Sequence, residues 1–160
     1  MIADQVTKLL VGQVATELTA HQVYMGISAY FTRESLNAWA KHFRDQALEE
    51  AEHGWKIVTF LIDNDVEFAL PQVGGAPTTY KSARDALGVA EASERRVTQS
   101  FEALANAARE AKDNRTLEFL HWFIAEQVEE ERVVAALIDL VDSGINLYDA
   151  EQHLTRVTGD

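Results

Sequence analysis

Pro71 and Pro77, the two prolines of this 160-residue chain, lie six residues apart, and the Gly-Gly pair at 74–75 stands between them. Proline and glycine interrupt regular structure, so this segment is a breaker region that divides the chain into two halves. On each side of it, apolar residues recur at every third or fourth position, which is the period of an amphipathic helix. Two long helices are predicted in each half: at about 4–33 and 35–64, and then two separated by a short turn at 112–115 and ending at about 142.

Residues that favour helix ends support these boundaries. Ser35 is predicted to cap the second helix, and the Ser-Ala-Arg-Asp sequence at 82–85 is typical of a capping box at the start of the third. The Ser-Gly pair at 143–144 is expected to stop the fourth helix. Asn146 then predicts the start of a short fifth helix at about 147–156.

The lengths of the connections predict the topology. Tight turns join the first helix to the second and the third to the fourth, so each of these pairs is antiparallel. The connection at 65–81 has 17 residues and can reach about 56 Å when extended. A helix of about 28 residues is only about 42 Å long, so the second and third helices can run parallel. The sequence thus predicts an all-α fold, a four-helix bundle with one long crossover and a short C-terminal helix, as one domain over 1–160.

Charge and composition exclude several classes of function. The chain has 26 acidic and 14 basic residues and a net charge of −12, so nucleic acid and anionic membranes are poor partners and cations are good ones. It has no cysteine, which rules out disulfides and thiolate metal sites. No signal-peptide pattern is visible, and no segment reaches the roughly 18 apolar residues of a membrane span. A cytoplasmic location is expected.

Polar residues interrupt the apolar stripe of each long helix. From each helix to the next, the first interrupting residue lies 33, then 44, then 33 residues further along the chain. The two equal intervals predict a pseudo-twofold relation between the halves. Buried carboxylates are costly unless a cation compensates them, and no lysine or arginine lies on a stripe. Oxygen-rich ligation with one imidazole suits iron or manganese better than zinc. The interrupting residues are Glu17, Glu50 with His53, Glu94, and Gln127 with Glu130.

The E-x-x-H motif of Glu50 and His53 is weak by itself, because residues at i and i+3 share a helix face whether or not they bind metal. On an exposed face the two side chains would simply be solvated, and a buried carboxylate is more often paired with arginine or lysine. The motif lies between Ala47 and Ile57 on the apolar stripe, with matching polar residues on the other helices. This combination favours a metal pair held by four helices.

Further acidic and aromatic residues surround the predicted pair. Glu126, Glu129 and Glu130 share a helix face and, together with Glu49, predict a third cation position; a solvated acidic face is the alternative. Tyr24, on the same face as Glu17, is either a buried aromatic or an electron donor in oxygen reduction. Trp122 is open to the same two interpretations, of which packing is favoured. Four histidines without a visible partner are treated as surface or packing residues: His21, His42, His121 and His153.

Two segments carry a resemblance to a known family. Residues 46–53 (QALEEAEH) and 120–131 (LHWFIAEQVEEE) resemble bacterial non-haem ferritin, and the likeness extends over the helices, the crossover and the fifth helix. It implies a ferroxidase centre with residues matching Glu17, Glu50 and His53 at a first iron. Glu50, Glu94 and Glu130 would hold a second iron, with Gln127 nearby. The resemblance also implies a third iron site at Glu49, Glu126, Glu129 and Glu130, and a functional tyrosine at Tyr24.

The same resemblance implies a function and an assembly. Proteins of this family form a hollow shell of 24 subunits, oxidise ferrous iron with oxygen or peroxide, and store a ferric mineral. Glu130 stands where the haem-containing bacterioferritins have histidine, and Ala51 where they have a haem-binding methionine, so no haem is expected. A di-iron oxidase or peroxidase of the rubrerythrin type is an alternative, although such proteins usually add a cysteine-rich domain. A helical bundle that only binds metal is the second alternative.

Overall fold

The computed structural model describes residues 2–159. It confirms an all-α fold of four long helices, α1 (Asp4–Arg33), α2 (Asn37–Asp63), α3 (Ala83–Glu110) and α4 (Asn114–Asp142). The crossover at 65–82 contains no helix or strand. Within the described range, no helix combines the length and the apolar character that a membrane crossing requires.

Polar side chains cap the N-termini of α3 and α4. The Ser82 side chain accepts a hydrogen bond from the backbone N–H of Asp85 at the start of α3. The Asp113 carboxylate accepts from the N–H of Thr116 at the start of α4. These bonds satisfy donors that the first turn of a helix leaves unpaired. Only half of the predicted capping box forms, because the Asp85 carboxylate accepts from the N–H of Lys81 and not from that of Ser82.

Two sequence-based boundaries are corrected. Ser35 does not cap α2: it has a φ of 60° in the left-handed region, and α2 begins after Leu36 with no side-chain cap. The C-terminal helix is not continuous. Asn146 caps α5 (Leu147–Ala150) as predicted, but a 3-10 turn at 151–153 separates it from α6 (Leu154–Thr158).

Two apolar clusters, one in each half of the bundle, establish the topology. One cluster joins the C-terminal half of α1, the N-terminal halves of α2 and α3, and the C-terminal half of α4, with Phe31, Trp39, Leu87 and Leu137 among its buried members. The other joins the opposite halves of the same helices, including Leu10, Leu61, Phe101 and Leu120. Helices α2 and α3 therefore run parallel, and each is antiparallel to its partner in the hairpin, as predicted.

The crossover packs closely on α1. A Cβ atom added to Gly26 would lie 2.1 Å from the carbonyl oxygen of Pro77, so only glycine permits this approach. The Arg33 guanidinium donates to the Thr78 carbonyl oxygen at 2.8 Å. The same nitrogen lies 3.2 Å from the Thr78 hydroxyl. These contacts hold the long connection against the bundle as it passes from the end of α2 to the start of α3.

Candidate metal centre

A layer of buried polar side chains lies between the two apolar clusters, about midway along the bundle. All four long helices contribute to it, since the polar interruptions of the apolar stripes fall at this level. Each side chain is at least 96% removed from solvent, although ionisable residues are rarely buried so completely. The layer consists of Glu17 from α1, Glu50 and His53 from α2, Glu94 from α3, and Gln127 and Glu130 from α4.

Glu17, Glu50 and His53 converge on one point. Nδ1 of His53 lies 3.5 Å from Oε2 of Glu17 and 3.5 Å from Oε2 of Glu50. One ligand atom from each residue lies within 4.8 Å of the other two, a spacing that fits a shared metal ion. Oε2 of Glu17 and both carboxylate oxygens of Glu50 are buried and have no hydrogen-bond partner. Buried, unpaired carboxylate oxygens are costly in a protein interior, and a bound cation would compensate them.

Glu17 is held by residues that the sequence analysis did not single out. Nε2 of Gln13, one helical turn earlier, donates to Oε1 of Glu17 at 2.6 Å. The hydroxyl of Ser100, on α3, donates in turn to Oε1 of Gln13. The contact of Gln13 with Glu17 could have been predicted from the sequence, because Gln13 lies four residues earlier on the same helix face. The contact with Ser100 joins two helices and has no such signal.

Glu94 has a partner at each carboxylate oxygen. The Tyr24 hydroxyl donates to Oε1, and Nε2 of Gln127 donates to Oε2 at 3.0 Å. The Gln127 amide also lies 3.2 Å from the hydroxyl of Thr98. Helices α1 and α4 therefore fix the orientation of this carboxylate on α3. Thr98 is a second residue that the helical pattern alone did not indicate.

Burial raises the pKa of three acidic groups in the layer. It raises the pKa of Glu50 well above its usual range; the His53 imidazole 3.5 Å away opposes this effect, and the charge of Glu17 adds to it. The pKa of Glu94 is also raised by burial, against the lowering effect of the Tyr24 and Gln127 hydrogen bonds. Burial and the nearby charges of Glu94 and Glu49 raise the pKa of Glu130 to about 8. Among residues 2–159, no lysine or arginine is buried, so His53 is the basic group that these carboxyls have beside them.

His53 shifts in the direction expected for a base between carboxylates. Burial by itself would lower its pKa, but the carboxylates of Glu17 and Glu50, each 3.5 Å from Nδ1, outweigh that effect and raise the pKa to about 10. At neutral pH the imidazole therefore carries a proton that a metal ion has to displace. Tyr24 stays protonated as well, because burial and the charge of Glu94 raise its pKa well above the usual value.

A second acidic group adjoins the layer. Carboxylate oxygens of Glu49, Glu126 and Glu130 lie within 4.8 Å of one another, so Glu130 belongs to both groups. Glu129 lies outside this group: it forms an ion pair with Arg132, and its side chain is 56% exposed. It still lines a cavity beside the group. The structure thus brings together three of the four residues predicted for a third cation position. The cavity beside this group is also lined by His42, which is buried.

Trp122 adjoins the layer, whereas the four other histidines differ in their burial. The Trp122 ring contacts the His53 ring edge to face, with centroids 5.3 Å apart, and Nζ of Lys56 lies 3.2 Å above Trp122. Nδ1 of His21 bonds the carbonyl oxygen of Ala47 and so ties α1 to α2. The other two, His121 and His153, are exposed.

These observations define a class of protein. A four-helix bundle with one long crossover, whose core holds inward-facing carboxylates and an imidazole from all four helices, is characteristic of the carboxylate proteins that bind a pair of metal ions. The fourth helix carries Gln127 and Glu130 where many members of this class have a second glutamate and histidine pair.

Comparisons with known proteins identify the family. Residues 7–143 match the ferritin-like domain of the family described as Ferritin. The chain is 38% identical over 149 residues to Ferritin BfrB of Mycolicibacterium smegmatis, covering 92% of this chain and 82% of that protein. It is 34% identical to a bacterial non-heme ferritin of Staphylococcus epidermidis, covering 96% and 95%. An open pore ferritin from the archaeon Archaeoglobus fulgidus superposes with a TM-score of 0.92 at 26% identity, covering 97% and 98%.

The chain therefore belongs to the ferritin family, and its function is iron storage. This confirms the resemblance given by the segments at 46–53 and 120–131.

Proposed function

We propose that this ferritin oxidises ferrous iron at a di-iron centre formed by the buried polar layer, and then stores the ferric product. The observation that carries the proposal is the set of three buried carboxylate oxygens, on Glu17 and Glu50, that lack a hydrogen-bond partner beside His53. In a buried layer that served only stability, these atoms would be expected to have hydrogen-bond partners. Here they are free to bind a cation.

Each side chain has a role in this proposal. Glu17, Glu50 and His53 bind the first iron. The two unpaired oxygens of Glu50 allow it to bridge to a second iron, which Glu94 and Glu130 also bind. Gln127 holds Glu94 in position, as does Tyr24. We further propose that, when only one ferrous ion is bound, Tyr24 supplies the second electron of oxygen reduction together with its hydroxyl proton, which predicts a tyrosyl radical in freeze-quenched samples and its loss in Tyr24→Phe.

The chemistry requires two electrons and two protons. Two ferrous ions each lose one electron; with two protons these convert dioxygen to hydrogen peroxide, or hydrogen peroxide to two waters. Iron binding displaces the protons on His53 and Glu130, and this release supplies protons beside the reacting oxygen. The carboxylates then stabilise the higher charge of the ferric product.

Ferric iron would leave the pair through the second acidic group. Glu130, the proposed ligand of the second iron, also lies within 4.8 Å of Glu49 and Glu126, so it supports a direct transfer to them. In the proposed third iron site, Glu129 would join them by exchanging its ion pair with Arg132 for the metal. That pair is exposed, so its net stabilisation is small and the exchange is not costly.

The centre is tested by stopped-flow absorbance after apoprotein loaded anaerobically with two ferrous ions per chain is mixed with oxygen. We expect a fast oxidation phase that saturates at two iron ions per chain and is absent from Glu94→Ala, because the second iron loses a ligand. Glu91→Ala, which removes a half-buried carboxylate one turn earlier on α3, is the matched control. Oxidation as slow as that of free iron in the wild type would instead indicate a bundle that binds metal without oxidising it.

Storage requires a closed assembly, and we propose a shell of 24 chains. Twenty-four copies of the 17.9 kDa chain would have a mass of about 430 kDa, which analytical ultracentrifugation resolves easily. We expect this species, and we expect its sedimentation coefficient to rise as ferrous iron is added in air. A monomer or dimer that oxidises iron without retaining it would support an oxidase of the rubrerythrin type.

A further inference from the structure

We infer that Gln13 is a positioning residue that fixes how Glu17 binds iron, and that Ser100 fixes Gln13 in turn. This inference rests on the proposed function, since it concerns the first iron position. It follows from a chain of two hydrogen bonds that begins on α3, passes through an amide on α1, and ends at the carboxylate of Glu17.

The Gln13 amide is placed where its hydrogen bonds have to be made within the protein. The side chain is completely buried, and its Nε2 lies 2.6 Å from Oε1 of Glu17. A buried amide group that lacks partners is strongly unfavourable. Removing either partner of Gln13 would therefore leave a buried amide group unpaired. One of these partners is Glu17, the proposed ligand of the first iron.

Glu17 determines which end of the Gln13 amide faces it. An ionised carboxylate only accepts hydrogen bonds, so the N–H end of the amide has to face Glu17. The hydroxyl of Ser100 then donates to Oε1 at the other end of the amide. A hydroxyl on α3 thus holds in place the amide that orients a carboxylate on α1.

The consequence concerns the number of oxygens that each carboxylate offers to metal. Oε1 of Glu17 is occupied by Gln13, and only Oε2 lacks a hydrogen-bond partner. Both oxygens of Glu50 are unpaired. Each oxygen of Glu94 accepts one hydrogen bond and keeps a lone pair for the second iron. In Glu17, the bond from Gln13 leaves Oε2 beside His53, so this oxygen is the one placed to bind the first iron, while Glu50 is left to bridge.

The experiment uses Co²⁺, because it remains divalent in air and its visible absorption reports its coordination number. Gln13→Met keeps the length of the side chain and removes its N–H group. Bound Co²⁺ in this variant should show an altered visible spectrum, and its affinity should fall by about 10-fold. Ser100→Ala should shift both quantities in the same direction, and Ser100→Thr, which keeps the hydroxyl, should restore them. Gln99→Met, an exposed position next to Ser100, is the matched control.

The outcomes separate the inference from the proposed function. A wild-type spectrum and affinity in both Gln13→Met and Ser100→Ala would overturn the role of Gln13 and leave the di-iron centre in place. If Co²⁺ binds equally well to wild type and Glu50→Ala, the proposed centre itself fails. Should Gln13→Met not assemble, Ser100→Ala decides the question alone, because Ser100 is only half-buried and its substitution removes a single hydroxyl.

Discussion

Replacing Glu50 with alanine is expected to slow the fast phase of ferrous oxidation by on the order of 100-fold or more, while assembly is unchanged. Mutation of a residue that only hydrogen-bonds a metal ligand already lowers affinity or activity by about 10- to 100-fold. Glu50 is proposed to bind both iron ions directly, so its loss should cost more. Stopped-flow absorbance at two ferrous ions per chain measures the rate, and sedimentation measures the assembly. His53→Ala should show a similar loss because it removes the only imidazole in the layer.

Glu52→Ala is the matched control for Glu50→Ala. It removes the same carboxylate two residues further along α2, from an exposed position that faces solvent and not the layer. Its oxidation rate should equal that of the wild type. If Glu50→Ala and Glu52→Ala oxidise iron equally fast, the centre lies elsewhere in the protein.

Glu130→Gln is expected to make the iron-free protein more stable, and increasingly so as the pH rises. The pKa of Glu130 is about 8 in the folded protein and about 4.5 when it is unfolded, so ionisation disfavours the folded state above pH 4.5. The cost is about 1 kcal/mol at pH 5.5 and about 4 kcal/mol at pH 7.5. Glutamine, which does not ionise, avoids it. Scanning calorimetry of the iron-free variant should show a melting temperature raised by about 10 °C at pH 7.5.

The gain should shrink at pH 5.5, which distinguishes it from an improvement in packing. His53 also titrates: its stabilising contribution is complete below about pH 6.5 and is lost as the pH approaches 10. That change occurs in both proteins and largely cancels in their difference. Glu52→Gln, at an exposed site, should leave the melting temperature unchanged at both values of pH. A gain for Glu130→Gln that is equal at pH 5.5 and 7.5 would contradict the pKa assigned to Glu130.

The long helices could be predicted from the sequence because their limits are local features. The boundaries at Arg33 and Asp142 agree with the prediction, since the apolar period ends there and Gly144 follows with a φ of 78°. Ser35 was misassigned because serine is common both at caps and in turns. The tight turn between α1 and α2 takes this residue into the left-handed region, so it cannot serve as the cap.

The candidate site could be predicted only as far as helical spacing reaches. Spacing placed Glu50 and His53 on one face, and the structure brings Glu17 to them. Helical spacing could not show that Ser100 contacts Gln13, 87 residues away in the sequence, because that contact depends on how two helices are rotated in the packed bundle. Glu129 is a different case: its partner Arg132 is only three residues away and within the reach of helical spacing, but the pairing was not among the predictions.

The placement of the polar layer between two apolar clusters, each joining all four long helices, bears on how such a protein can evolve. Because both clusters lie outside the layer, replacing a ligand leaves their apolar contacts in place. We therefore expect a lineage with this architecture to change or lose its metal ligands more readily than its fold.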